Sequence, residues 1–229
     1  MGIVRLFPAI GAVIILLLTG NLIQRFGSKR FVLVGGILMQ LCIPLILLVP
    51  SITFLAPMLL VFGGATGMMD VAMNTQAVRI ENIYQRPMMS SIHAIFSLGT
   101  LLGGGLTSLL LRFGWTPLEH AGMMAILLVL LVTACGPWLV KNENISVEKT
   151  PLVSIPRGPV LVLGLLAMVA MIIEGAAMDW SAIYARNLLE ASSSQAAAVF
   201  TFFTLTMTLG RFIGDRLVHH WGPEHMLRY

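Results

Sequence analysis

Four polar side chains that can bind a proton or a polar solute lie inside otherwise apolar stretches of the sequence. They are Asp70, Asn74, His93 and Glu174. Carboxylates take up and release protons, an imidazole titrates near neutral pH, and a carboxamide both donates and accepts hydrogen bonds. Asp70 and Asn74 are four residues apart, which places them one turn apart on one face of a helix. Asp70 also has a structural alternative, as a hydrogen-bond partner that holds helices together, and His93 has one as a hydrogen-bonded packing residue.

The stretches that carry these residues predict helices that cross a membrane. Hydrophobic residues make up 57% of the 229 residues and charged residues 10%, against roughly 45–50% and about 25% in soluble domains. Seven apolar runs reach a spanning length on the order of 20 residues, and none shows the alternation of a strand. We therefore predict an all-α, polytopic membrane protein with runs at residues 3–23, 31–49, 54–81, 87–113, 117–140, 158–189 and 192–218.

The charged residues and the glycine clusters inside these runs require a physical explanation. A charged group at the bilayer centre costs about 2.5–3.5 kcal/mol on insertion scales, so Asp70 and Glu174 are the strongest candidates for cavity or proton chemistry. Small residues let neighbouring helices approach closely. We expect such packing at two glycine clusters, which are Gly63, Gly64 and Gly67 in the third run and Gly99, Gly103, Gly104 and Gly105 in the fourth.

Several classes of function find no support in the residues. The net charge of +4 is small and does not indicate a nucleic-acid partner. No cysteine–histidine cluster has metal-ligand spacing, no sequence indicates a cofactor, and no set of nucleophile, base and acid can be assembled, so we predict neither a metal site nor an enzyme. Cys42 and Cys135 lie inside separate apolar runs, which predicts buried, unpaired thiols.

The distribution of cations predicts the orientation in the membrane. Loops after the first, third, fifth and seventh runs are assigned 11 of the 14 lysines and arginines, with Arg211 among them. The opposite loops hold only Arg5, Arg112 and Arg186. Because cations collect on the cytoplasmic side, we expect an external N-terminus and a cytoplasmic C-terminus.

A short basic turn between the first two runs is repeated near the end of the chain. Residues 20–30 read GNLIQRFGSKR, with Gly20 and Gly27 bracketing a turn that holds Arg25 and ends at Arg30. Residues 215–222 align with residues 20–27 under a shift of 195 positions, so that Gly27 corresponds to Gly222. A repeat at that spacing in an apolar chain predicts two homologous halves.

This turn resembles the cytoplasmic Gly-x-Leu-x-Asp-Arg-x-Gly-x-x-Arg pattern of the major facilitator superfamily. Gln24 and His219 stand where that pattern has aspartate. In the family this aspartate pairs with neighbouring helix ends and helps to hold the outward-open state. The resemblance therefore implies a conformational-switch turn at Gly20, Arg25, Gly27, Arg30, Asp215, Arg216 and Gly222. Residues 70–81 and 90–93 look most like the bacterial fucose-permease-like branch.

The resemblance also implies a domain organisation. Residues 1–140 resemble most of the first six-helix half without its first helix, residues 141–157 the central cytoplasmic loop, and residues 158–229 the first two helices of the second half. On this alignment the chain corresponds to about helices two to eight of a twelve-helix major-facilitator-type bundle.

The function implied is that of a secondary active transporter in the bacterial inner membrane. It would move a small polar solute, with sugars as one class, by alternating access and proton coupling, with Asp70, Asn74, His93 and Glu174 as cavity residues. Its partners would be the lipid bilayer, the solute and the proton. Two other classes stay open, which are a membrane fragment that transports nothing and a seven-helix receptor-like protein.

Overall fold

The chain folds into helices throughout the part that the structure describes, which is residue 4, residues 6–141 and residues 157–228 of a computed structural model. No strand occurs in these residues, which confirms the all-α prediction. The helices are α1 (Leu6–Phe26), α2 (Ser28–Leu48), α3 (Ile52–Tyr84), α4 (Met89–Arg112), α5 (Pro117–Cys135), α6 (Pro159–Leu188), α7 (Ser193–Trp221) and the short α8 (Pro223–Arg228), with a 3-10 turn at Gly136–Trp138 after α5.

Six of these helices are long and apolar enough to cross a membrane, counted over the described residues. They are α1 to α6, and the fifth span continues through the 3-10 turn to Trp138. α7 has 29 residues and occupies the seventh predicted run. At 1.5 Å per residue it is about 43 Å long, which exceeds the hydrocarbon thickness of about 30 Å. That α7 crosses the membrane stays a prediction.

Two helix starts follow directly from local sequence. Thr116 caps α5, because its hydroxyl accepts from the Glu119 N–H while the Glu119 carboxylate accepts from the Thr116 N–H at 2.8 Å. Ser192 and Gln195 form the same reciprocal pair at the start of α7. Each pair satisfies two backbone donors that a helix start leaves without a partner.

The described chain divides into two compact units, and the first comprises Met1–Gln85 and Thr107–Val153. In it, α3 packs against α1 and α2, and α2 packs against α5. The first glycine cluster makes this packing possible, as predicted. A methyl group placed on Gly63 would overlap the backbone of Pro8, and one on Gly67 would lie 3.1 Å from the Ala12 carbonyl oxygen. The helix backbones therefore touch where side chains are absent.

The second unit comprises Arg86–Leu106 and Ser154–Tyr229, and α6 packs against α7 within it. The expectation of close packing at the second glycine cluster is wrong for the described residues. A methyl group built on any of its four glycines meets no neighbouring heavy atom within 4 Å. The thiols also differ, because Cys42 is buried as predicted whereas Cys135 is exposed.

The predicted domain boundaries stay predictions. Residues 142–156, nearly all of the predicted central loop, lie outside the described residues. The division into compact units falls elsewhere, inside α4 after Leu106. The physical reason is that the first turns of α4 are bound to α7 by polar contacts with Asp215 and Arg211.

Candidate functional site

An ion pair joins α6 to α7 inside the second unit. Arg211 Nη2 donates to both carboxylate oxygens of Glu174, at 2.7 and 2.9 Å. The Glu174 side chain is 36% exposed and that of Arg211 23% exposed, so both are half-buried. Glu174 lies at the middle of its 30-residue helix, and Arg211 lies ten residues before the end of α7. Charges placed so far from helix ends are the kind that membrane proteins retain for a purpose.

The same guanidinium reaches a third helix. Arg211 Nη1 donates to Ser97 Oγ of α4 at 2.5 Å, and Ser97 is almost fully buried. The Ser97 hydroxyl in turn donates to the backbone carbonyl oxygen of His93 at 3.1 Å. The planar guanidinium of Arg211 thus connects Glu174 with α4. Its contact on α4 is Ser97, which lies one helical turn after His93.

Arg211 is the main residue whose position differs from the prediction. The cation count places it in a cytoplasmic loop, whereas in the structure it lies inside α7 and pairs with Glu174. Ten cations then remain against three in the orientation count, so the predicted direction is unchanged. The signal was present, because Arg211 lies within the predicted run 192–218 and an arginine inside a run calls for a carboxylate partner in another run.

Asp70 and Asn74 lie in the first unit and meet as predicted. Asn74 Nδ2 donates to Asp70 Oδ1 at 3.4 Å, which is a long hydrogen bond between side chains one turn apart on α3. Asp70 is exposed and Asn74 is half-buried. The two polar groups therefore share one face of α3, and their part in binding a solute stays a prediction.

The two repeated turns have the same backbone geometry. Gly27 has φ 85° and ψ 143°, and Gly222 has φ 80° and ψ 153°. The Gly27 N–H donates to the Ile23 carbonyl at 2.8 Å, and the Gly222 N–H donates to the Val218 carbonyl at 2.9 Å. These partners correspond under the shift of 195 positions, and so do the helix ends on either side. Positive φ explains why glycine occupies both positions.

In the second turn, Asp215 binds the start of α4. Its two carboxylate oxygens accept from the N–H groups of Ser90 at 2.9 Å and Ser91 at 2.6 Å. The Ser90 hydroxyl donates to the Arg211 carbonyl at 2.6 Å. A carboxylate at a helix N-terminus satisfies orphan donors and interacts favourably with the helix dipole. His219 stands at the aspartate position of the family pattern, and Asp215 supplies a carboxylate one turn earlier.

A second residue that the sequence does not single out as a site residue is Gln76, in the first unit. Its Nε2 donates to Ser28 Oγ at 2.8 Å and to the Val140 carbonyl at 3.0 Å, and its Oε1 accepts from the Val140 N–H at 2.9 Å. Gln76 and Ser28 are both buried. One amide therefore joins α3 to the start of α2 and to the segment that follows α5. Nothing in the sequence spacing identifies these partners.

The remaining switch-turn residues are positioned by helix ends. Arg25 is in the last turn of α1 and Arg30 in the first turn of α2, and both are exposed. Gly20 occupies the position equivalent to Asp215, and a methyl group there meets no neighbouring atom within 4 Å. Within the described ranges, no group of three or more His, Cys, Asp or Glu side chains is placed to hold a metal ion.

Long apolar helices, a charged pair within them and a glycine turn used twice are features of a polytopic helical membrane protein with related halves. A family profile described as Major Facilitator Superfamily matches residues 1–229. The chain therefore belongs to the major facilitator superfamily, which confirms the resemblance noted in the sequence.

Curated relatives agree with this assignment. An uncharacterized MFS-type transporter of Yersinia pestis is 37% identical over 99% of this chain and 59% of its own length. An uncharacterized transporter of Sinorhizobium fredii is 31% identical over 99% of this chain and 60% of its own. The membrane protein MosC of Rhizobium meliloti is 29% identical over 95% and 53%. The chain thus spans between half and two thirds of the length of these relatives. No solved structure gives a significant match.

Proposed function

We propose that this chain forms part of a proton-coupled secondary transporter that moves a small polar solute by alternating access. Sugars are the first class of solute to test, in line with the resemblance to the fucose-permease-like branch. The observation that carries the proposal is the set formed by Glu174, Arg211 and Ser97. It joins three long helices through charged and polar groups that lie far from the helix ends.

The chemistry of this set suits proton coupling. While Glu174 is ionised, it holds Arg211 through two charge-assisted hydrogen bonds. A proton on Glu174 removes the charge that Arg211 balances and leaves the guanidinium free to hydrogen-bond a hydroxyl or carbonyl oxygen of the solute. The hold of α7 on α6 then weakens, which is the kind of differential contact that shifts a conformational equilibrium.

The other predicted residues are divided between the two units, with Asp70 and Asn74 in the first and His93 and Asp215 in the second. Asp70 and Asn74 offer a carboxylate and an amide on one face of α3, and hydrogen bonds from such groups match sugar hydroxyls. His93 supplies an imidazole one turn before Ser97 on α4. The Asp215 contact with the start of α4 serves the conformational switch, since a cap that forms in one state biases the equilibrium toward that state.

We further propose that the protein is not an enzyme, that it binds no nucleic acid, and that it lies in the inner membrane with its C-terminus in the cytoplasm. The cation count supports the orientation. The two homologous turns support the division into residues 1–140, 141–157 and 158–229.

The test is uptake by cells that express the longest reading frame containing this chain, with a panel of labelled sugars. We expect uptake driven by an imposed pH gradient and lost in the double variant Asp70→Asn, Glu174→Gln. The matched control is Glu190→Gln, which neutralises an exposed acid of the second unit. Uptake that persists unchanged in the double variant removes the site assignment, and uptake that ignores the pH gradient counts against proton coupling.

A further inference from the structure

A basic cavity lies at the ends of α4 and α7, outside the Glu174–Arg211 pair. It has a volume of about 510 Å³ and is lined by Arg86, Arg216, His219, His220 and Asp215, among other residues. All of these residues belong to the second unit. We propose that this cavity, which we call the basic cavity, binds a phosphate group, either in the headgroup of an anionic lipid or as a soluble phosphate. The proposal is independent of solute transport.

The charge of the lining favours an anion. Two guanidiniums and two imidazoles surround a single carboxylate, that of Asp215. Both oxygens of that carboxylate already accept hydrogen bonds, from the Ser90 and Ser91 N–H groups. Asp215 supplies one negative charge against two guanidiniums, so the lining as a whole is positively charged. An anionic ligand would balance that charge.

The chemistry of the donors favours phosphate. Arginine presents a planar fork of N–H groups that matches phosphate oxygens, and its guanidinium is charged at any physiological pH. Arg86 precedes α4, whereas Arg216 lies five residues before the end of α7, so the two cations approach from different segments. His219 and His220 add ring N–H donors in the next turn. A cavity of this volume has room for a phosphate and part of a headgroup.

The position of the cavity fits the level of lipid headgroups. Its residues lie within two turns of the start of α4 and of the end of α7, and helix ends lie near the membrane surface. Trp221, which ends α7, is 54% exposed, and exposed tryptophans concentrate at membrane interfaces. Basic pockets between membrane helices on the cytoplasmic side are known to take anionic headgroups.

The experiment counts bound phospholipid on the purified chain by native mass spectrometry. The chain in detergent micelles is titrated with phosphatidylglycerol or with phosphatidylcholine, whose choline balances the phosphate charge. We expect preferential retention of phosphatidylglycerol. In Arg86→Gln, Arg216→Gln the binding constant should fall by about 25-fold, at about fivefold for each cation removed.

The matched control is Lys141→Gln, Arg157→Gln, which removes two exposed cations outside the cavity. It should change the binding constant by less than about twofold, since neither side chain lines the basic cavity and salt screens exposed charges. If the glutamine variant does not fold, the double variant Arg86→Lys, Arg216→Lys is used instead. It keeps both positive charges and loses only the planar set of guanidinium N–H donors. We expect it to weaken binding by about fivefold, since lysine binds phosphate as a point charge.

A second arm separates the two sources of phosphate. Millimolar inorganic phosphate is added alone and in competition with the lipid. If it binds the natural chain and not the glutamine variant, while phosphatidylglycerol shows no preference, the ligand is a soluble phosphate. Equal losses in the cavity variant and the control, or binding that no variant changes, would overturn the proposal.

Discussion

The turn at Gly27 in the first unit and the turn at Gly222 in the second can be compared residue by residue. Both glycines have φ near 80°, and the N–H group of each donates a hydrogen bond to the corresponding carbonyl, with lengths that agree to within 0.1 Å. Around the first turn the anchor is neutral, because buried Ser28 accepts from the Gln76 amide. Around the second turn the anchor is a carboxylate, because Asp215 binds the start of α4.

Two kinds of residue contribute to each turn. One kind sets the backbone conformation, and the other binds the turn to a neighbouring helix. The two turns share a glycine at a positive φ and apolar residues before it, and these shared features go with the same backbone conformation. The fastening groups do not correspond, because the position equivalent to Asp215 is Gly20 and the position equivalent to Ser28 is Pro223. An anchor can therefore be replaced by a different one while the turn is retained.

The same contrast extends to the units that contain the turns. The first unit brings helices together through glycines whose missing side chains admit a neighbouring backbone. The second unit leaves its glycine cluster on α4 open and connects its helices through Arg211, Glu174 and Asp215. Packing without charge gives a rigid scaffold, whereas contacts between charges respond to protons and ligands.

The largest effect should come from adding a methyl group to the packed cluster. Gly63→Ala forces the Pro8 backbone to move, and overpacking of this kind costs about 3 kcal/mol. The measurement is the unfolding midpoint of the whole chain from the loss of helical circular dichroism, and maleimide labelling of buried Cys42 in a Cys135→Ser background reports the first unit separately. Gly103→Ala is the matched control, because open space surrounds it. It should be neutral or stabilising by up to about 1 kcal/mol, the difference in helix propensity. If Gly63→Ala and Gly103→Ala reduced the free energy of unfolding equally, the difference in helix packing between the two units would be contradicted.

Removing the neutral anchor should have the next largest effect. Gln76→Ala leaves the Val140 N–H and carbonyl groups and the Ser28 hydroxyl without their partner, which costs about 2–3 kcal/mol. Ser28→Ala removes one of these bonds and should cost about 1 kcal/mol. Labelling of Cys42 measures both, since it lies in the same unit. A Ser28 variant that loses as much as the Gln76 variant would contradict the assigned network.

Removing the charged anchor should have a smaller effect on stability. Asp215→Asn loses the carboxylate charge and one of two acceptors at the start of α4, which costs about 1–2 kcal/mol. Raised salt should reduce the difference from the natural chain, because the dipole interaction is screened. Hydrogen exchange of the Ser90 and Ser91 amides gives the local readout. Glu190→Gln serves as the control, and exchange that rises equally in both variants would contradict the cap.

Much of the fold follows from the sequence because a membrane imposes length and apolarity on each helix. The first run was predicted at 3–23 and α1 is observed at Leu6–Phe26, with the turn at Gly27 as expected. The glycine clusters show the limit of such patterns. Small residues permit close approach without requiring it, so the sequence cannot distinguish Gly63, which is packed, from Gly103, which is open.

The candidate site was only partly predictable. Glu174 follows from the cost of a charge in a membrane, but its partner is 37 residues away, and Arg211 shares its position inside a predicted run with other arginines such as Arg79 and Arg216. The Asp215 cap depends on which side chain reaches the start of α4, whereas the family pattern directs attention to His219. Gln76 was missed for the same reason, because its partners are 48 and 64 residues distant.

The central claim is that the Glu174–Arg211 pair couples proton movement to solute movement. The most direct measurement uses vesicles that contain the protein encoded by the longest reading frame including this chain, either natural or with Glu174→Gln. It compares proton-driven accumulation of the solute with solute counterflow. We predict that the variant loses accumulation under a pH gradient and retains counterflow, since only the proton-binding group is removed. Accumulation by the Glu174→Gln variant at the natural rate would contradict the account.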